Sequence, residues 1–213
     1  MRSIRISVVV GVLLVLSARL CDAHIPSAGN STVPRHITLV GSHSALPDTA
    51  GAFTIVVRDL ANNPLRGLVV VVDFSGCTDL AICADQLDTA ATVNCAAKTV
   101  RKTTDGTGTV TFTILGGSNG SGNATTLLNG VKIFGNGVLF GWPTASAFDL
   151  DGSRGVGIND LSVWLSDLAT PGNPPFGRSD FDGDGALGIN DLSVWLTAYG
   201  AGGSVAGCAA SCP

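Results

Sequence analysis

Two stretches of the chain repeat one pattern of oxygen-bearing side chains. They read DLDGSRGVGINDLSVWLSDL at residues 149–168 and DFDGDGALGINDLSVWLTAY at residues 180–199, 31 residues apart. Asp149, Asp151, Ser153 and Asp160 stand at positions 1, 3, 5 and 12 of the first loop, and Asp180, Asp182, Asp184 and Asp191 at the same positions of the second. Calcium takes six to eight oxygens at about 2.3–2.6 Å, and alternate side chains of a tight loop supply them just before a helix begins. The backbone carbonyls of Gly155 and Ala186, at position 7, would add one ligand each. The pattern therefore predicts two Ca2+ sites.

The two copies are not equal. The second has Gly185 at position 6, where the backbone must turn sharply. The first has Arg154 there, and a neutral Ser153 replaces an aspartate at position 5. A weaker ligand and a nearby guanidinium predict that the second site binds more tightly than the first.

Charge follows the same plan. The chain has 213 residues and 16 acidic ones, all of them Asp. Eight of these lie between Asp149 and Asp191, against Arg154 and Arg178, a local charge of −6. Residues 35–132 carry seven basic and seven acidic side chains. So local an acidic patch attracts cations and repels nucleic acid. No catalytic constellation accompanies it. His24, His36 and His43 have no nucleophile or ligand motif beside them, and no carboxylate pair outside the loops suits glycosidase chemistry. The glycines of residues 116–123 read as a flexible turn rather than a phosphate cradle. A non-catalytic protein is expected.

The elements around the loops follow from periodicity. After each loop, Leu161, Trp164, Leu165 and Leu168, and then Leu192, Trp195, Leu196 and Tyr199, recur at helical spacing. Two short helices packed on each other are expected, with a core too small to fold without metal. Upstream, β-branched runs at 37–40, 52–59, 68–74, 99–103, 107–115, 131–134 and 138–142 read as strands. Thr104-Asp105-Gly106 reads as the turn of a hairpin joining 99–103 to 107–115, and Gly135-Asn136-Gly137 as that of another. About seven short strands suggest a β-sandwich.

Residues 1–23 read as a secretory signal: a head with Arg2 and Arg5, a short apolar run, and a small–x–small site ending at Ala23. The run is too short to span a bilayer, so no membrane insertion is expected, and the chain should be secreted or surface-associated. Residues 24–33 read as a flexible leader and 201–213 as a tail. Export favours disulfides among Cys77, Cys83, Cys95, Cys208 and Cys212. Cys208 and Cys212 are close enough to pair locally, and two of the other three would clip a loop; a zinc site is the alternative.

Two resemblances sharpen this outline. AFTIVVRDLANNPLRGLVVVVDFSG, followed by TTDGTGTVTFTI, resembles the immunoglobulin-like modules of invasin-type bacterial surface proteins, over residues 34–147. The cysteine-bearing insert 77–98 departs from that pattern. Asp at position 12, and turn-like residues where an ordinary EF-hand has an entering helix, resemble the dockerin family over residues 148–200. The implied fold class is a mainly β immunoglobulin-like sandwich plus a small α dockerin-like domain of two calcium loop–helix repeats. The dockerin resemblance implies docking to a cohesin-like domain of a scaffold or surface, read at positions 10 and 11: Ile158, Asn159, Ile189 and Asn190. The alternative for the two asparagines is helix capping. Two other roles stay open: a component of a polysaccharide-degrading complex whose sandwich binds carbohydrate, and a self-assembling surface-layer or fibre subunit.

Overall fold

The computed structural model describes residues 25–119, 130–170, 178–200 and 211–212. Residues 1–23, read above as a secretory signal, and Cys208 lie outside them. In chain order the strands are β1 His36–Leu39, β2 Ser42–His43, β3 Leu46–Pro47, β4 Ala52–Val56, β5 Val69–Asp73, β6 Leu80–Ile82 and β7 Thr92–Asn94. There follow β8 Thr99–Thr103, β9 Thr109–Thr113, β10 Gly116–Ser118, β11 Lys132–Gly135, β12 Val138–Gly141 and β13 Thr144–Ala147. Two helices close the order, α1 Ile158–Leu168 and α2 Ile189–Gly200.

The protein is mainly β. One sheet has five strands in the order β12-β11-β5-β8-β7, and the others are the pairs β4-β9, β1-β13, β10-β6 and β2-β3. Alternation along the strands builds the core. Val70 and Val72 of β5, Val100 of β8 and Ile133 of β11 point inward from the large sheet. They meet Ile55 of β4, Val110 and Phe112 of β9, and Ile37 and Leu39 of β1 in one cluster. Two facing layers of inward side chains are consistent with a β-sandwich. Each fully buried Val, Leu or Ile contributes about 2 kcal/mol by leaving water.

Several expectations need correction. The turn at Asp105 is real: its Oδ1 accepts from the backbone N–H groups of Thr107 and Thr109 at 2.8 and 3.0 Å. It joins no hairpin. β8 pairs with β5 and β7, while β9 pairs with β4. Turn chemistry fixes the reversal locally, but packing decides which sheet the outgoing strand enters. The Gly135–Gly137 hairpin is present, with Asn136 and Gly137 at φ +48° and +79°, as a tight two-residue turn requires. Gly116–Ser118, expected in a flexible turn, is the buried strand β10, paired with β6. A Cβ on Gly116 would sit 2.6 Å from the Ala81 carbonyl oxygen, so close packing explains the glycine. Residues 25–33 are not a loose leader: Pro26 and Thr32 bridge to Asp59 and Val56.

The cysteines pair differently too. Cys212 bonds to Cys95, 117 residues away, rather than to its neighbour Cys208. Cys83 is also in a disulfide, and Cys77 is free and buried. Ser211 bridges to Cys83, and the Cys212 N–H donates to the Ile82 carbonyl at 2.8 Å. The C-terminal segment thus returns to the edge of β6. Nearness in sequence misleads here because the chain end is carried back by β pairing.

The helices do not form a core by themselves. Trp164 and Trp195, each 1% exposed, join Val40, Leu115, Phe148 and Leu150 in a second cluster. Val40 and Leu115 continue the sheet strands β1 and β9. The inward face of each helix is Asp160, Trp164 and Asp167, or Asp191, Trp195 and Ala198. Leu165, Leu168, Leu196 and Tyr199, expected inside, are 39–49% exposed.

Candidate metal centre

β13 delivers the chain straight into the first loop. Phe148 N–H donates to the Leu39 carbonyl at 3.1 Å, and the Asp149 carbonyl accepts from Ser118 N–H at 2.9 Å. The loop therefore starts pinned to β1 and β10. Its carboxylates at positions 1, 3 and 12, those of Asp149, Asp151 and Asp160, lie with ligand oxygens within 4.8 Å of one another.

Asp160 organises this loop from the first turn of α1. Its Oδ1 accepts from Leu150 and Asp151 N–H at 2.7 and 3.0 Å, and its Oδ2 from Gly157 N–H at 2.6 Å. It thus joins the start of the loop to its end, and a carboxylate near a helix N-terminus also suits the helix dipole. Asn159 is not the cap; the N-cap is Gly157. Asn159 and Asn190, with Ile158 and Ile189, are exposed instead.

Asp149 carries the strongest sign that a cation belongs here. Its Oδ2 accepts from Arg154 N–H at 2.9 Å, but its buried Oδ1 has no hydrogen-bond partner. Burial, and next the charge of Asp160, push its carboxyl up to about 7. Burial also raises Asp160. A buried oxygen without a donor costs free energy that a bound cation would offset. These residues fit a hard divalent ion. Arg154 takes φ +71°, so the loop makes the turn expected of a glycine with a residue that strains there. Gly152 beside it is also left-handed, at φ +72°, while Gly155 is not.

The second loop repeats the scaffold with one difference. Asp180, Asp182 and Asp184, at positions 1, 3 and 5, form its acidic cluster. Asp180 accepts from Gly183 and Gly185 N–H at 2.8 and 3.0 Å. Asp182 and Asp184 accept from the N–H groups two residues on, Asp184 at 3.0 Å and Ala186 at 2.8 Å. Burial raises Asp180, partly countered by its two backbone donors. Asp191 mirrors Asp160: it accepts from Phe181, Asp182 and Gly188 N–H at 2.8, 3.3 and 2.8 Å. It stands outside the three-carboxylate cluster, so in this geometry it braces the loop. Gly185 turns at φ +88° without strain.

The repeats are tied together by a contact that the repeated motif does not reveal. Asp167 of α1 is buried, and it accepts from Arg178 Nε at 2.7 Å and Ser179 Oγ at 2.6 Å. Trp164 Nε1 donates to the Ser179 carbonyl at 3.2 Å. The signal lay in a departure from the repeat: Asp167 stands where the second copy has Ala198.

Each helix also presents an outward apolar row. Ile158 is 65% and Ile189 75% exposed, in line with Leu165 and Leu168, or with Leu196 and Tyr199. Among the described residues no helix is long and apolar enough to cross a membrane. No family model, curated protein or solved structure matches the chain.

Proposed function

We propose that this is a secreted, non-catalytic Ca2+-binding protein. Its dockerin-like pair of loop–helix repeats docks an immunoglobulin-like sandwich to a cohesin-type domain of a scaffold or cell surface. The observation that carries the reading is the recurrence of one acidic scaffold, three carboxylates converging in each of two loops 31 residues apart. Solvated surface aspartates would not repeat that spacing, nor leave the Asp149 Oδ1 buried and unpartnered. Calcium fits better than magnesium or zinc: the ligands are oxygens only, from an adaptable loop rather than a rigid octahedral or thiolate site. The partner side of the reading draws on the exposed rows led by Ile158 and Asn159 and by Ile189 and Asn190. Apolar residues exposed in line on both helices are what an interface core needs.

Calorimetric titration of the full chain with Ca2+, with light scattering on the same samples, tests it. Asp151→Ala and Asp182→Ala remove one ligand each and leave the bracing Asp160 and Asp191 in place. Two sites, one lost in each variant, support the metal reading; no binding overturns it. A cohesin domain that binds in Ca2+ but not in chelator, and more weakly once Ile158, Asn159, Ile189 and Asn190 are replaced by Ala, supports docking. Calcium-dependent oligomers of the chain alone would favour self-assembly instead.

A further inference from the structure

We infer that the second loop owes its metal affinity to a polar seat on the sandwich, formed by His36, Thr38 and Ser146. This rests on the calcium reading of that loop. The seat follows from strand register. β1 and β13 run parallel, with His36 opposite Thr144 and Thr38 opposite Ser146. Alternation sends Ile37, Leu39, Ala145 and Ala147 to the core and leaves a polar row on the other face. A polar outer row normally meets water. Here Thr38 is 6% and Ser146 0% exposed, and the second loop lies against the row, with Phe181 at Thr38 and Gly183 at His36.

The contact is specific. Thr38 Oγ1 donates to the Phe181 carbonyl at 3.1 Å. Ser146 Oγ lies 3.2 Å from Thr38 Oγ1 and 2.9 Å from His36 Nε2, and His36 Nδ1 lies 2.7 Å from Thr144 Oγ1. Whichever ring nitrogen carries the proton, Thr38 donates to the loop, because the Phe181 carbonyl can only accept. The neutral ring is the form that the buried position of His36 favours. Packing adds a second restraint. A Cβ on Gly183 would lie 2.3 Å from the His36 Cβ, so only a bare backbone fits over the ring, at φ +72°.

Phe181 and Gly183 are loop positions 2 and 4. They flank Asp182, the ligand at position 3, and adjoin Asp180 and Asp184. Fixing the backbone on both sides of a ligand limits where its carboxylate can go, as outer partners do around other metal sites. The first loop rests elsewhere, on β10: Ser118 N–H holds the Asp149 carbonyl, and a Cβ on Gly117 would meet Asp149 Oδ2 at 2.5 Å. Each loop therefore has its own seat, and a lesion in one should spare the other. Coupling is reciprocal, so calcium in the second loop should also hold β1 against β13.

The test uses the full chain carrying Asp151→Ala, which isolates the second loop, and Ca2+ titration by calorimetry. Thr38→Val, which keeps the shape and removes the donor, should weaken binding roughly tenfold. Thr38→Ser should bind like the parent, and Ser146→Ala should fall between. In the Asp182→Ala background, Thr38→Val should leave the first loop's affinity unchanged. Thr38→Val binding as tightly as the parent overturns the inference; so does equal weakening at both loops, which would mark a general loss of fold. A parent chain that binds no calcium at the second loop fails the calcium reading itself, and this inference with it.

Discussion

Single residues account for the difference expected between the two loops. Arg154 makes at φ +71° the turn that Gly185 makes at φ +88°. For a side-chain-bearing residue that conformation costs about 1 kcal/mol, and the guanidinium adds a positive charge to the loop proposed to hold a cation. Arg154→Gly should therefore tighten calcium at the first loop by about tenfold, the equivalent of roughly 1.4 kcal/mol. Calorimetry in the Asp182→Ala background reads this directly, and unchanged affinity would show that neither strain nor charge limits the site. A second prediction concerns Cys77, which lies buried outside both disulfides described. Burial, and next the charge of Asp79, push its thiol up to about 12. A thiol that stays protonated does not attack alkylating reagents. Among Cys77, Cys83, Cys95 and Cys212, iodoacetamide at pH 8 should label none in the native chain and only Cys77 after denaturation without reductant. Because the folded value lies above the unfolded one, this group's contribution to stability holds below about pH 9 and is lost as pH rises towards 12.

Elements show where the sequence could be read and where it could not. The strands from β-branched, alternating runs stand where expected, because their pattern already encodes a buried face. β2, β3, β6, β7, β10 and β13 escaped notice. Gly116–Ser118 and Thr144–Ala147 are built from small residues with little strand preference, and both are strands through their partners. The acidic clusters of the loops were legible because a coordination pattern is local, although Asp191, read as a ligand, stands outside its cluster. The helix faces were not. Helical spacing marked Leu165, Leu168, Leu196 and Tyr199 as inward, but the helices pack on the sandwich through Asp160, Trp164 and Asp167 and their counterparts. The two tryptophans offer a matched test. Both are 1% exposed, yet Trp164 Nε1 donates to Ser179 while Trp195 Nε1 has no partner. Each Trp→Phe change removes similar volume. Trp164→Phe also strands the Ser179 carbonyl, so it should cost about 1 kcal/mol more than Trp195→Phe. Urea denaturation in calcium would measure the gap, and equal losses would deny that hydrogen bond a role.

At the scale of the whole molecule, the two repeats are held at both ends. β13 leads into the first loop from inside the sandwich, and beyond α2 residues 211–212 lie at the end of β6, with Cys212 bonded to Cys95. Between these anchors the helices share a core with Val40 and Leu115. A module tethered once could melt alone; one tethered twice and sharing apolar packing should unfold with its neighbour. Calcium would then stabilise the sandwich as well as the loops, since a ligand that binds only the folded form raises the stability of everything that folds with it. Two thermal scans test this. With disulfides intact and calcium present, near-ultraviolet circular dichroism of the helix tryptophans and far-ultraviolet signal from the sheets should fall in one transition, and chelator should lower both together. Cys95→Ser with Cys212→Ser releases a loop of 117 residues. On chain-entropy grounds that costs about 5 kcal/mol, or roughly 15 °C for a chain of this size. If calcium shifts only the tryptophan transition, leaving the sheet signal where it was, the repeats fold independently and the shared core does not couple them.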